Sequence, residues 1–153
     1  MMNNCYQAKR EGKVIGFASV VGDMLHAGHV LYLNECKQHC DYLIVGIVSD
    51  PTIDRPFKNK PIQSLFERYV QVASIGVVDE VVPLSGEDDL LLALMALPVD
   101  VRFVGEDYLG KDFTGKKECG EKGIRIIYNS RKHHLSSSEL RKRIEDSEAS
   151  KWI

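Results

Sequence analysis

The sequence predicts an α/β fold: a doubly wound parallel sheet of about five strands, flanked by helices and held in a single domain. Three observations carry this reading. Apolar runs rich in β-branched residues recur along the chain, as strands buried on both faces should be, "KVIGFASVV" (13–21) and "DYLIVGIVSD" (41–50) foremost. Segments with helical spacing separate them. The order is strand, helix, strand from end to end, which right-handed crossovers turn into a parallel sheet.

The elements follow in order. Residues 1–12 are a polar extension with no expected order. The run 13–21 is the first strand. From Gly28 to Cys40, Val30, Leu31, Leu33 and Cys36 recur at helical spacing, and 41–50 is the second strand. "SDPTIDRPFKNKPIQ" (49–63) is polar, carries three prolines and reads as a long loop, which inside a compact domain is usually functional or disordered. Helical periodicity returns from Ser64 to Ile75, before the short strand "EVVPL". "DDLLLALMAL" (88–97) is a helix that Pro98 stops, and "DVRFVGED" (100–107) and "GIRIIYN" (123–129) are strands. "SSSELRKRIEDS" (136–147) closes as a helix, with Glu139 completing an S-x-x-E capping pattern. No internal repeat, low-complexity tract or linker divides residues 13–148, and 149–153 form a tail.

Composition narrows the function. At 153 residues, 44% hydrophobic and 27% charged, the chain can bury a full core without staples. A net charge of −2 gives no basic footprint, so nucleic acid is not the expected partner. No stretch approaches a membrane span, and the polar N-terminus lacks the apolar region of a secretion signal, so a cytoplasmic location is expected. Cys5, Cys36, Cys40 and Cys119 form no CxxC pair and read as reduced thiols. "CKQHC" (36–40) lacks a second ligand cluster to close a zinc tetrahedron. Basic residues cluster locally in "RPFKNK" and "SRKHH", which suits a small polyanion.

One stretch stands apart. "GDMLHAGHV" (22–30) places His26 and His29 around Gly28 where the first strand hands over to a helix. Folds of this type bind ligands at the carboxyl ends of their strands, and a helix N-terminus there favours an anion. Gly28 allows a phosphate chain close to the backbone, and both imidazoles can donate to charge developing on it. Packed core histidines seldom come as H-x-G-H at such a junction. A zinc site would have to draw on Asp23 and on His39, which lies on the wrong part of the helix.

"DMLHAGH" resembles the D-x-x-H-x-G-H signature of the nucleotidylyltransferase superfamily, whose members are Rossmann-like. Within it the chain is similar to small cytidylyltransferases of the glycerol-3-phosphate type; the ethanolamine-phosphate and choline-phosphate enzymes and the adenylyltransferase domain of heptose-phosphate synthesis share the layout. The similarity runs from residue 13 to 145 through "DYLIVGIVSD", "KNKPIQSLFERYVQVASIGVVDEVVP", "VGEDYLGKDF" and Arg131 followed by "SSS".

The resemblance implies a reaction: a phosphate monoester attacks the α-phosphate of CTP in line and pyrophosphate leaves, with Mg²⁺ bridging phosphates. It implies roles as well. His26 and His29 contact nucleotide phosphates, Lys58 and Lys60 close over triphosphate and acceptor, and Arg68 points toward the phosphate site. Gly105 and Asp107 lie near the nucleotide, with Val20, Val21 and Gly28. Arg131 with Ser136, Ser137 and Ser138 holds the β- and γ-phosphates. Asp23 is a structural or metal-associated position. A homodimer is implied too. Plainer readings stand beside these: a solvated charge run for Lys58 and Lys60, a surface ion pair for Arg68, helix capping for the serines, surface loop for His133 and His134.

The chain departs from the family at one place. Where G-x-F-D is usual, it reads Val20, Val21, Gly22, Asp23. Either the backbone is re-routed around Gly22 or the nucleotide site is altered. Three function classes therefore stand: cytidylyltransferase, adenylyltransferase on a sugar phosphate or other phosphorylated small molecule, and nucleotide-binding protein without turnover.

Overall fold

In a computed structural model of the chain, which describes residues 3–130 and 133–153, the elements run α1 (Asn3–Arg10), β1 (Ile15–Val20), α2 (Ala27–Lys37), β2 (Tyr42–Val48), α3 (Leu65–Ala73), β3 (Glu80–Leu84), α4 (Glu87–Ala96), β4 (Val101–Gly105), a 3₁₀ turn (Glu106–Tyr108), α5 (Lys116–Lys122), β5 (Arg125–Asn129) and α6 (Ser137–Ser150). The five strands form one sheet in the order β3-β2-β1-β4-β5, and every pairing is parallel. This is a Rossmann-like α/β architecture. The chain order reverses between β1 and β4, which puts the topological switch point at their carboxyl ends.

Each face of the sheet owns a core. Alternate residues of the strands point to opposite sides. Ile15, Phe17 and Ile44 pack with Cys5, Leu90, Leu94 and Cys119 of α1, α4 and α5. Ala18, Leu43, Val45 and Ile47 pack with Leu33 and Cys36 of α2 and Val72 of α3. Leu33 and Leu94 are fully buried, so either one truncated to alanine costs about 2–5 kcal/mol. No helix among the described residues is long and apolar enough to cross a membrane.

Two expectations need correction, and one element was not foreseen. Residues 3–10 are ordered as α1, because Cys5 and Ala8 are buried against the sheet, Tyr6 donates to the carbonyl of Ala96, and Lys9 pairs with Asp100. The strand expected over 100–107 ends at Gly105, and its last two residues enter the 3₁₀ turn. A further helix, α5, fills the segment between the fourth and fifth strands; its only buried residue is Cys119, and Gly123 stops it in the left-handed region at φ 76°.

Candidate functional site

The two histidines cap the helix they introduce. His26 is the N-cap of α2, and its Nδ1 accepts from the backbone N–H of Gly28 at 3.0 Å. His29 reaches back, its Nδ1 accepting from the N–H of His26 at 3.2 Å. This is a capping box built from imidazoles instead of Ser and Glu. Because each Nδ1 accepts, the proton of each neutral ring sits on Nε2. The rings lie 4.0 Å apart between centroids, tilted by 43°. His26 Nε2 lies 3.3 Å from Ser137 Oγ, which in turn donates to the carbonyl of Asp23. Burial and the neighbouring His26 hold His29 down at about 4, against a smaller opposing pull from Asp23. Burial also lowers His26, with His133 adding to it. Both rings are therefore neutral donors near pH 7.

Gly28 has no room for a side chain: a Cβ would lie 2.7 Å from the His26 ring and 2.8 Å from the carbonyl of Leu135. The close approach expected of a phosphate is thus already made by the chain itself. Before the histidines the backbone turns through two left-handed residues, Gly22 at φ 70° and Met24 at φ 48°. Val20 packs into the core under α2 and α3.

Asp23 and Arg68 hold this turn from beneath. Asp23 is 4% exposed; its carboxylate accepts from the N–H groups of Ile62 and Gln63 at 2.9–3.1 Å and pairs with Arg141 of α6 at 2.7 Å. Arg68 is 2% exposed, which overturns the surface-ion-pair reading. Its Nη1 donates to the carbonyls of Val21 and Val48, its Nη2 to Ser49, and its Nε to Gln63, at 2.6–3.2 Å. Its guanidinium is engaged by the chain ends that follow β1 and β2 instead of being open to a ligand. Arg141 carried no signal in the sequence beyond its place on a capped helix.

The other predicted residues surround this centre. Lys58 and Lys60 are exposed on the 49–63 loop, the Lys58 ammonium 5.8 Å from the centroid of the Phe57 ring. The same loop is fastened by Arg55, which donates to Glu87 of α4 and to the hydroxyl of Tyr108 at 2.8 Å; sequence reasoning missed this contact. Gly105 ends β4, and Asp107 is exposed in the 3₁₀ turn. Ser136 is the N-cap of α6, accepting from Glu139 N–H, Ser137 reaches His26, and Ser138 is exposed. His133, read as surface loop, is half-buried and lies close enough to His26 to add to its lowering. Arg131 lies outside the described residues.

The implied Mg²⁺ can be tested against these donors. The Asp23 carboxylate already accepts two backbone N–H groups and a guanidinium, so it does not fit as a metal ligand. No group of three or more His, Cys, Asp or Glu among the described residues is placed to hold one. Of the "CKQHC" residues, Cys36 and Cys40 are buried thiols pushed up by burial, Cys40 to about 11, and His39 is exposed.

A family model described as cytidylyltransferase-like matches residues 23–143. Among curated relatives, the bifunctional protein HldE of Paramagnetospirillum magneticum is 39% identical over 101 residues, 65% of this chain and 20% of its own length. HldE of Nitrosococcus oceani is 34% identical over 134 residues, 87% of this chain and 28% of that protein. The chain thus spans under a third of either. The FAD synthase of Aciduliprofundum boonei is 34% identical over 109 residues, 71% of this chain and 72% of its own. The lipopolysaccharide core biosynthesis protein of Thermoplasma volcanium has a similar structure, with a TM-score of 0.62 at 24% identity over 78% of this chain and 96% of that one. Pantoate-beta-alanine ligase of Francisella tularensis follows at 0.60 and 17%, over 92% and 70%. At such identities these two report the fold alone.

Proposed function

The chain belongs to the cytidylyltransferase-like family, and from that membership we propose that it transfers CMP from CTP to a small phosphate monoester resembling glycerol-3-phosphate. An oxygen of the acceptor phosphate attacks the α-phosphorus, the bond from that phosphorus to the bridging oxygen breaks, and pyrophosphate leaves with the electron pair. An acceptor dianion needs no general base, since its second pKa is about 6. The chain's task is to position the two phosphates and to donate hydrogen bonds to the oxygens that gain charge.

One observation carries the reading: His26 and His29 are neutral Nε2–H donors, fixed by their own helix cap at the carboxyl end of the central strand. Preorganised donors of this kind need no rearrangement when charge develops. Lys58 and Lys60 supply exposed positive charge from the loop, and Arg131 with Ser136, Ser137 and Ser138 supplies an anion site at the start of α6. Asp23 and Arg68 act as positioning residues, keeping the turn that carries the histidines in place. Val20 and Val21 shape that turn, while Gly105 and Asp107 border the nucleotide. The relative named FAD synthase supports a second reading, with adenylate transferred instead of cytidylate.

Pyrophosphate release, measured with each nucleoside triphosphate against a panel of phosphate monoesters, separates the readings. Release with CTP and a polyol phosphate is expected. Release with ATP alone moves the protein to the adenylyl reading. Nucleotide binding without release under any pairing overturns both.

A further inference from the structure

Asn129, the last residue of β5, is 2% exposed, and neither its Oδ1 nor its Nδ2 has a hydrogen-bond partner among the described residues. Buried side-chain amides are paired in the great majority of structures, so each one left bare calls for a reason.

Strand alternation fixes which way this amide faces. Ile126 packs into the core under α1, α4 and α5, whereas Ile127 packs into the one under α2 and α3. Asn129, two positions after Ile127, shares its face. The strand's end fixes its level. Asn129 pairs in register with Gly105, the last residue of β4, at the carboxyl edge of the sheet. The first turn of α2, with His26 and His29, begins at that same edge. The amide is therefore aimed beneath the histidine turn, on the β4–β5 side of the switch point.

The chemistry then narrows the occupant. A phosphate offers acceptors only; it would satisfy Nδ2 and leave Oδ1 facing an anion. A neutral edge with a donor beside an acceptor satisfies both atoms at once. The exocyclic edge of a nucleobase has that pattern, and so does the hydroxyl pair of a ribose. Resting on the nucleotidyl-transfer reading above, we propose that Asn129 binds the nucleoside half of the nucleotide while the histidines take its phosphates. The amide pairs with cytosine and adenine alike, so it anchors the nucleoside without choosing between bases.

Titration calorimetry on the wild type, Asn129→Leu and Asn129→Ser tests this, using Mg²⁺ complexes of CTP, ATP and 2′,3′-dideoxy-CTP beside inorganic tripolyphosphate. For the triphosphate that binds the wild type, affinity is expected to fall about tenfold or more in both variants, the worth of one or two hydrogen bonds. Tripolyphosphate affinity stays unchanged. The Leu variant, relieved of a bare amide, melts no lower than the wild type, and the Ser variant keeps the test open if Leu fails to fold. A penalty that persists with the dideoxy nucleotide assigns the contact to the base; one that vanishes assigns it to the ribose. Unchanged nucleotide affinity, or an equal loss for tripolyphosphate, overturns the proposal. A wild type that binds no nucleotide overturns the functional reading itself, and this inference with it.

Discussion

The imidazole of His29 accepts a hydrogen bond from the backbone N–H of His26, 3.2 Å away, while the two rings sit 4.0 Å apart. One contact does two jobs. It closes the first turn of α2, and it fixes the His29 proton on Nε2, so that capping and electrophilic donation are chemically coupled.

His29→Ala should therefore lower kcat by about a hundredfold, the effect of losing a preorganised donor. It should also cost about 1 kcal/mol of stability, the worth of a helix cap. Steady-state kinetics and thermal melts on the same preparation read both. Near-normal turnover with the stability loss alone would leave His29 as a cap and no more.

Acidification should weaken the fold through the same residue. Folding lowers His29 from 6.5 to about 4. Between those values the unfolded chain holds a proton that the folded chain lacks. Stability is complete above about 6.5, falls as pH drops through the window, and levels off below about 4. The loss is at most about 3 kcal/mol, and less because the ring is partly exposed. Melts from pH 7 to pH 5 isolate the histidines, since Asp50, Glu67 and Glu87, all lowered by hydrogen bonds, lose stability only at lower pH. His29→Gln keeps a capping side chain and removes the titration, so its slope should be shallower, with His26 supplying the remainder. Identical slopes would refute the assignment.

Asp23→Ala should destabilise by about 2–4 kcal/mol, because it strands two backbone N–H groups and Arg141 together. Arg141→Ala should cost less, about 1–2 kcal/mol, since Asp23 retains its backbone donors. Hydrogen exchange across α6 should rise in both variants, because the salt bridge and the Ser137 contacts tie that helix to the histidine turn. An Arg141 variant that leaves α6 fully protected would show that the ion pair is not its tether.

For Arg68, stability is the deciding quantity. Removing a guanidinium that serves four carbonyls should cost about 3–5 kcal/mol, and Arg68→Lys should not rescue it, since an ammonium cannot reproduce the planar fork. A variant with wild-type melting temperature and crippled turnover would instead return Arg68 to the phosphates.

Buried parallel strands write themselves into the sequence as unbroken apolar runs, which is why β1, β2 and the alternation with helices were legible. So was the place of the histidine turn between β1 and α2, although the capping box that its two imidazoles form was not. The short outer helices were not. In α5 a single buried cysteine among seven residues leaves no period to detect, and in α1 two small buried residues are hidden by charged neighbours. The role of Arg68 was illegible for another reason. A sequence displays a cation, but whether it meets phosphate or carbonyl depends on where the ends of two other strands converge. Asp23, Arg141 and the orphaned amide of Asn129 belong to the same class: their meaning arises only from segments brought together by the fold.

The place of β1 at the centre of the sheet also governs how the chain can fold. On one side β1 finds β2, the next strand along; on the other it pairs with β4, Gly16 against Val101, across more than half the sequence. The three-strand unit β3-β2-β1 can assemble from neighbouring segments, whereas closure onto β4 must wait for a long chain loop to find its ends. Until then β1, apolar on both faces, is an open edge and a template for any other copy in the same state. Refolding yield should accordingly fall with protein concentration well before native stability shows any change.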